Sequence, residues 1–192
     1  MSPKTAEAQQ KVRDQSRKKI LNAALEIFAQ KGFHASSVDE IARKAKISKG
    51  LVYNYFDTKE DLLKQVINEA MQFGDGFMSN ADEMSPEEEF KIFVKSFFHL
   101  LKTQTDTLRL IMSLSIQVRT FDFVQEIAES KTGVFDSYFR RLLKGLGFKA
   151  SEGEIIELEC VLEGAGTIYY IMGDDQKLDT LEAHLISKYC KK

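Results

Sequence analysis

Apolar residues recur every three to four positions along most of the chain, which is the spacing of one face of an α-helix. Alternating apolar and polar residues between glycine-rich turns are typical of β-strands. The chain has no such segments and contains only two prolines. The sequence therefore predicts an all-α protein. The first long helix is expected over residues 13–31, with an apolar stripe of Ile20, Leu21, Ala24, Leu25 and Phe28.

Capping residues mark where helices begin. Ser37 and Ser151 are each followed by glutamate three positions later, the spacing of a capping box, and Ser85 precedes a proline at the first helical turn. Residues 1–12 are polar and are expected to be disordered. We predict about nine helices: 13–31, 38–45, 49–55, a fourth capped by Thr58, one from Ser85, 106–118, 121–146, one from Ser151 to about 172, and 177–190.

The charge is distributed unevenly along the chain. Residues 1–64 contain 13 basic and 8 acidic residues, whereas residues 65–192 contain 14 and 21. Eleven of the 14 phenylalanines lie after residue 64. This split predicts a basic module over residues 13–60 that meets a polyanion and a larger module over residues 61–192 that encloses something apolar or dimerises.

Several functional classes find no support in the sequence. No apolar run reaches the ~20 residues of a membrane span, and the polar N-terminus does not resemble a secretory signal. Two cysteines do not make a disulfide framework, and the three histidines lack metal-ligand spacing. No nucleophile, phosphate-loop or paired-carboxylate motif is present. We expect a cytoplasmic protein without catalytic residues, metal or cofactor.

The most informative segment is residues 32–62. Two short helices joined by a tight turn follow a longer helix, which is the arrangement of a helix-turn-helix unit. Lys44, Lys46 and Lys49 flank the second short helix, and two tyrosines follow them. Gly50 permits a close approach of the backbone to DNA. The segment therefore predicts DNA binding, although a solvated lysine cluster and ordinary amphipathic packing of the tyrosines are the alternatives.

This segment resembles the DNA-binding signature of TetR/AcrR-type transcriptional regulators. The resemblance covers about 45 residues of the N-terminal part. The residues that carry it include Ala42, Ala45, the run Ile47–Gly50, Tyr53, Tyr55, Phe56, Lys59, Glu60 and Leu62. The resemblance implies base contacts from Lys49, Leu51 and Asn54, and phosphate contacts from Ser37, Tyr53, Tyr55 and Lys59. The predicted DNA-binding set is Ser37, Lys46, Ser48, Lys49, Gly50, Leu51, Tyr53, Asn54, Tyr55 and Lys59.

One position departs from the family pattern. The turn position that is glycine in most relatives is Lys46 here. A left-handed backbone costs a residue other than glycine roughly 1 kcal/mol, so the turn is predicted to be slightly strained or reshaped. The alternative is that Lys46 supplies an additional phosphate contact.

For the second module, the resemblance implies an effector pocket and a dimer formed by the last two helices as a four-helix bundle. The alternatives are ordinary core packing for the pocket residues and intrachain packing for the dimer residues. The expected pocket residues are Phe77, Phe97, Leu101, Met112, Ile116, Phe123, Phe135, Phe139 and Tyr170. The expected dimer residues are Gly164, Leu178, Leu181, Leu185 and Tyr189.

Together these observations predict a homodimeric regulator that binds double-stranded operator DNA. We expect a repressor that a small, largely apolar effector releases from its operator. Two alternatives are a helical protein–protein interaction module and an all-helical enzyme.

Overall fold

The computed structural model describes residues 3–78, 84–115 and 122–190, which are all helical or in connecting loops. The prediction of an all-α protein with about nine helices is confirmed for these residues. The helices are α1 (Pro3–Lys31), α2 (Val38–Ala45), α3 (Lys49–Tyr53), α4 (Lys59–Met78), α5 (Pro86–Thr103), α6 (Thr105–Ser115), α7 (Asp122–Gly145), α8 (Glu152–Met172) and α9 (Asp175–Tyr189).

Helix boundaries follow the capping residues closely. The capping boxes at Ser37, Ser85 and Ser151 are present, and α2 spans the expected residues. Asp174 caps α9 two residues earlier than predicted. The expectation of disorder over residues 1–12 is wrong for residues 3–12, which belong to α1. Proline suits a first helical turn, and the residues after it are mostly good helix formers. The N-terminal part of α1 therefore forms without an apolar stripe of its own.

A first hydrophobic core joins α1, α2, α3 and the beginning of α4, and we call this unit the head. Phe28, Ile41 and Val52 are almost completely buried in it. Leu62, Leu63, Val66 and Ile67 of α4 belong to the same core, so the packing of the head continues past residue 60. Leu110 and Leu114 of α6 and Val124 of α7 also join it.

A second core joins α5, α7, α8 and α9, which we call the body. Its centre is a cluster of aromatic rings, with Phe93 in contact with Tyr138 and Phe139 at centroid distances of 5.7 and 5.3 Å. The buried carboxylate of Glu89 accepts hydrogen bonds from the Arg141 guanidinium and so ties α5 to α7. Burial, together with this carboxylate, raises the pKa of Tyr138 above its usual value.

Helix α6 connects the body with α1, and α1 is in turn tied to α4 within the head. Arg17 of α1 donates hydrogen bonds to Glu69 at 2.7 Å and to Gln65 at 3.0 Å, both on α4. Helix α6 packs along α1 and also contacts α5 and α8 of the body. Helix α1 contacts α2 as well, so it lies between α6 and the helix-turn-helix unit.

Candidate nucleic-acid interface

The turn between α2 and α3 is shaped by Lys46. Its backbone is left-handed, with φ 58° and ψ 44°, which agrees with the strained turn that the family pattern implies at this position. The N–H of Ile47 donates to the carbonyl of Ala42 at 3.0 Å, and the N–H of Lys46 to that of Arg43 at 3.2 Å. These bonds form a Schellman-type helix end, for which glycine is the usual residue. The side chain of Lys46 is exposed beside α3.

Replacing Lys46 by glycine is expected to raise the free energy of unfolding by about 1 kcal/mol, because glycine adopts the left-handed conformation without strain. The melting temperature should rise by about 2–4 °C. Operator affinity should fall modestly, since one positive charge beside the DNA is lost. The measurements are thermal unfolding and an operator titration.

Lys44→Gly is the matched control, because Lys44 lies inside α2, where glycine lowers helix stability by up to about 1 kcal/mol. The two substitutions should therefore change the melting temperature in opposite directions. A lower melting temperature for Lys46→Gly would contradict the strain at this turn.

Two serines of the predicted set cap helices. The hydroxyl of Ser48 accepts a hydrogen bond from the N–H of Leu51 at 3.2 Å, which fixes the start of α3. The hydroxyl of Ser37 lies 3.2 Å from the Glu40 carboxylate and accepts from the N–H of Glu40. A hydrogen bond from Lys31 lowers the pKa of Glu40 below its usual value. Both serines thus orient the short helices, and phosphate contact by Ser37 stays a prediction.

Helix α3 presents one exposed face. Lys49, Gly50, Tyr53 and Asn54 are exposed, whereas Val52 on the opposite side is buried. A Cβ atom built on Gly50 would meet no atom within 4 Å, so the backbone is open to a partner there. Leu51 is half-buried at the edge of this face. The exposed side chains combine a cation, a phenol and an amide, which are groups that contact base edges and phosphates.

Lys49 is paired with a residue that the sequence did not single out. Its ammonium lies 2.7 Å from the Asp39 carboxylate on α2, and this carboxylate raises the pKa of Lys49. Both side chains are more than half exposed, so solvent screens their attraction strongly. Asp39 therefore holds the Lys49 ammonium only weakly.

Lys59 occupies an internal position that the sequence did not reveal. Its ammonium donates to the backbone carbonyls of Phe33 and Ser36 at 2.8 and 2.9 Å and lies 4.2 Å from the centre of the Phe33 ring. These contacts tie the start of α4 to the loop before α2. These hydrogen bonds engage two of the three protons of the Lys59 ammonium, and one proton remains available for a phosphate. The phosphate contact of Lys59 stays a prediction.

Tyr55 lies between the core and a second basic residue. Its ring is half-buried, and the Arg13 guanidinium lies 5.7 Å from its centre. Arg13 belongs to the part of α1 before the head's apolar stripe. The charge therefore lies over the Tyr55 ring at the edge of the head. The only sequence signal for this pairing is the basic character of α1.

The predicted pocket residues do not form one lining. Leu101 and Phe139 are buried core side chains, and Phe139 contacts the rings of Phe93, Phe135 and Tyr138. Phe97 stacks on Phe93 at 6.2 Å. Phe135 is half-buried against the body core, Phe123 is half-buried against the head core, and Met112 is also half-buried.

The three remaining pocket predictions are Tyr170, Ile116 and Phe77. Tyr170 is 46% exposed and lies 6.0 Å from the Arg109 guanidinium. Ile116 and the side chain of Phe77 lie outside the described residues. Packing of the other aromatic residues against one another thus accounts for much of the phenylalanine excess in the body.

The predicted dimer residues on α9 need a correction. Leu178, Leu185 and Tyr189 are buried within their own chain, where Tyr189 contacts the rings of Phe90 and Phe148. Leu181 is half-buried against the same core. The alternative of intrachain packing thus accounts for Leu178, Leu185 and Tyr189. A Cβ atom on Gly164, by contrast, would meet no atom within 4 Å, so this position on α8 is open.

The described residues contain neither a membrane-spanning helix nor a cluster of metal-binding side chains. None of the described helices has the length and apolar character that crossing a membrane requires. Within the same residues, no group of three or more histidine, cysteine, aspartate or glutamate side chains is arranged to hold a metal ion.

The fold and the exposed face of α3 define a helix-turn-helix DNA-binding protein. Residues 20–66 match the model of bacterial regulatory proteins of the tetR family. The fatty acid metabolism regulator protein of Bacillus subtilis (strain 168) is 30% identical to this chain over 139 residues, which are 72% of this chain and 70% of that protein. This chain belongs to the TetR family of transcriptional regulators, which are not enzymes.

Two further similarities extend over most of the chain. The HTH-type transcriptional activator FasR of Mycolicibacterium smegmatis is 24% identical over 172 residues, 87% of this chain and 77% of that protein. The crystal structure of the transcriptional regulator FadR from Bacillus subtilis in complex with stearoyl-CoA has a TM-score of 0.68 and 20% identity, covering 88% of this chain and 97% of that one. The fold over most of the chain, including the body, is thus shared with known regulators.

Proposed function

We propose that this protein is a homodimeric repressor that leaves its operator when it binds a long-chain acyl-CoA. The observation that carries the proposal is the extent of the similarity to the fatty acid metabolism regulator protein. The 139 aligned residues far exceed residues 20–66, which match the family model of the DNA-binding head. The alignment therefore extends into the body, where the effector of such a regulator is expected to bind.

The class of effector comes from the relatives. One of them is named for fatty acid metabolism, and a structural neighbour was crystallised with stearoyl-CoA. A long acyl chain also satisfies the sequence-based expectation of a largely apolar effector. A ligand that binds the DNA-incompetent dimer about 100-fold more tightly supplies about 2.7 kcal/mol of coupling. That amount is enough to empty an operator held near saturation.

Operator recognition is assigned to the exposed face of α3. Lys49 and Asn54 are proposed to contact base edges, with Leu51 at the edge of the face against thymine methyl groups. Tyr53, Tyr55 and Lys46 are proposed to contact phosphates and fix the register. In a dimer the two α3 helices must enter successive major grooves, about 34 Å apart.

The dimer surface is proposed to lie on the exposed side of α8. Ile156, Ile168 and Ile171 are between 49 and 73% exposed, and Cys160 and Gly164 lie between them at helical spacing. Large apolar side chains on either side of a glycine give a surface on which two helices can pack closely. A twofold axis would bring the same patch of each copy together.

The test begins with the wild-type protein and DNA selected from a random library. We expect a palindromic operator and an affinity that falls steeply with salt, by a log–log slope of about −0.9 for each phosphate neutralised. Lys49→Ala should weaken the operator by about 10-fold and relax base preference. Lys64→Ala, on an exposed part of α4, is the control with the same charge change. Affinity that does not change with salt would contradict DNA docking.

Oleoyl-CoA is then titrated into the protein with and without operator, with free coenzyme A as the control. Reciprocity requires that operator and oleoyl-CoA weaken each other by the same factor. A promoter–reporter measurement with and without oleate in the medium gives the sign of regulation. Equal affinity for oleoyl-CoA in the presence and absence of operator would overturn the acyl-CoA proposal, and lower expression without the protein would overturn repression.

A further inference from the structure

A cleft of about 990 Å³ opens between the head and the body. Helices α1 and α4 of the head form one side, and α5 with the start of α6 forms the other. None of the predicted pocket residues whose side chains the structure describes lines this cleft. Its volume lies at the upper end of the range of small-molecule sites, about 300–1,000 Å³.

Apolar side chains from three helices line part of the cleft, among polar ones. Leu25 of α1 and Ala70 of α4 line it and are half-buried. Leu100 of α5 faces the cleft and is half-buried. An apolar surface that is shared by three helices and left uncovered in this way suits an alkyl chain, because the chain removes it from water.

The rim of the cleft carries positive charge on both sides. Lys18 of α1 and Lys95 of α5 are exposed lining residues, and neither has an ion-pair partner in the part of the chain that the structure describes. The carboxylate that lines the cleft, Glu69, is paired with Arg17 at 2.7 Å. The unpaired charges are therefore cationic, and they belong to different units of the protein.

We propose that this cleft binds an amphiphile whose alkyl chain lies on the apolar side chains of its lining and whose anionic head lies between Lys18 and Lys95. The choice of a long acyl chain rests on the proposed function, whereas the proposed position of the ligand and its anionic head rest on the cleft itself. Two sources share this chemistry: a free fatty acid with its carboxylate, and an acyl-CoA with its phosphates.

This position gives the ligand a regulatory effect. The occupant contacts α1 and α4 of the head together with α5 of the body, so its affinity depends on how the two units are arranged. By linkage, the bound ligand favours the arrangement that it contacts best. Because α1 also carries the α2–α3 unit, this arrangement sets the position of the recognition helix.

The experiment measures the dissociation constants of oleate, oleoyl-CoA and coenzyme A for the full chain and three variants. Lys95→Glu reverses one rim charge, and Ser96→Trp fills the cleft from α5. Lys91→Glu is the matched control, an exposed lysine one turn earlier on α5 that does not line the cleft. Melting temperatures establish that all variants are folded.

We expect Lys95→Glu and Ser96→Trp to weaken at least one of the two acyl ligands by 10-fold or more, and Lys91→Glu to change it by less than twofold. Weakening confined to oleate identifies a carboxylate ligand, and weakening confined to oleoyl-CoA identifies the thioester. Binding of an acyl ligand that all three variants retain overturns the cleft site but leaves the proposed effector intact.

The opposite failure is also distinguishable. Oleate binding that the two cleft variants weaken, without any effect of oleoyl-CoA on the operator, supports the cleft and overturns the proposed effector. If neither acyl ligand binds the wild-type protein, the cleft site and the effector proposal are both overturned.

Discussion

Replacing Ile168 by glutamate is expected to convert the protein from dimer to monomer and to weaken operator binding by at least 100-fold, or about 2.7 kcal/mol. Ile168 is 52% exposed in the single chain and lies one helical turn from Gly164 on α8. In the proposed dimer its side chain is buried against the partner, where a carboxylate without a counter-charge is strongly unfavourable. A monomer carries one recognition helix and contacts only one half-site.

Ile92→Glu is the matched control for this prediction. Ile92 on α5 is 45% exposed and lies outside the proposed dimer surface, so the same change should leave the dimer and the operator affinity unaltered. The measurements are sedimentation for the oligomeric state and an operator titration. An Ile168→Glu protein that remains a dimer would show that the two copies meet on another surface.

Replacing Lys59 by methionine is expected to lower the free energy of unfolding by about 2 kcal/mol, because the Phe33 and Ser36 carbonyls lose a charged donor. Methionine keeps most of the aliphatic part of the side chain, so lost packing contributes little. The melting temperature should fall by about 4–8 °C. Thermal unfolding in the absence of DNA measures this effect directly.

Lys64→Met provides the comparison, because Lys64 lies on the exposed side of the same helix. Its melting temperature should stay within about 1 °C of the wild-type value. An unchanged melting temperature for Lys59→Met, with a shallower salt dependence of operator binding, would instead assign Lys59 to a phosphate contact. The two roles of this lysine are thus separated by measurements with and without DNA.

Much of the local structure was already determined by the sequence. Capping residues such as Ser37 and Ser151 act within four residues of the chain, so their effect does not depend on the rest of the fold. The family resemblance placed Lys46 at a turn position that is usually glycine and predicted a strained or reshaped turn, and its backbone is left-handed in the structure. The family signature is equally local, because the whole head is built from consecutive helices.

The predictions that failed or moved depended on contacts between distant parts of the chain. The apolar face of α9 was visible in the sequence, but periodicity does not specify whether such a face packs against its own chain or a second copy. Leu178 and Leu185 are buried within the body because α5 covers them. The exposed face that remains for a partner lies on α8, around Gly164.

The pairing of charges was also decided by the tertiary structure. Lys49 meets Asp39 only because the turn brings α3 back across α2, and Lys59 reaches the Phe33 carbonyl from 26 positions away. The cleft between head and body arises from residues of four helices, and no single segment carries its pattern. The sequence determined which helices form and which of their faces are apolar. Packing decided which of these faces and charges stay exposed, because burial depends on neighbours that are remote in the chain.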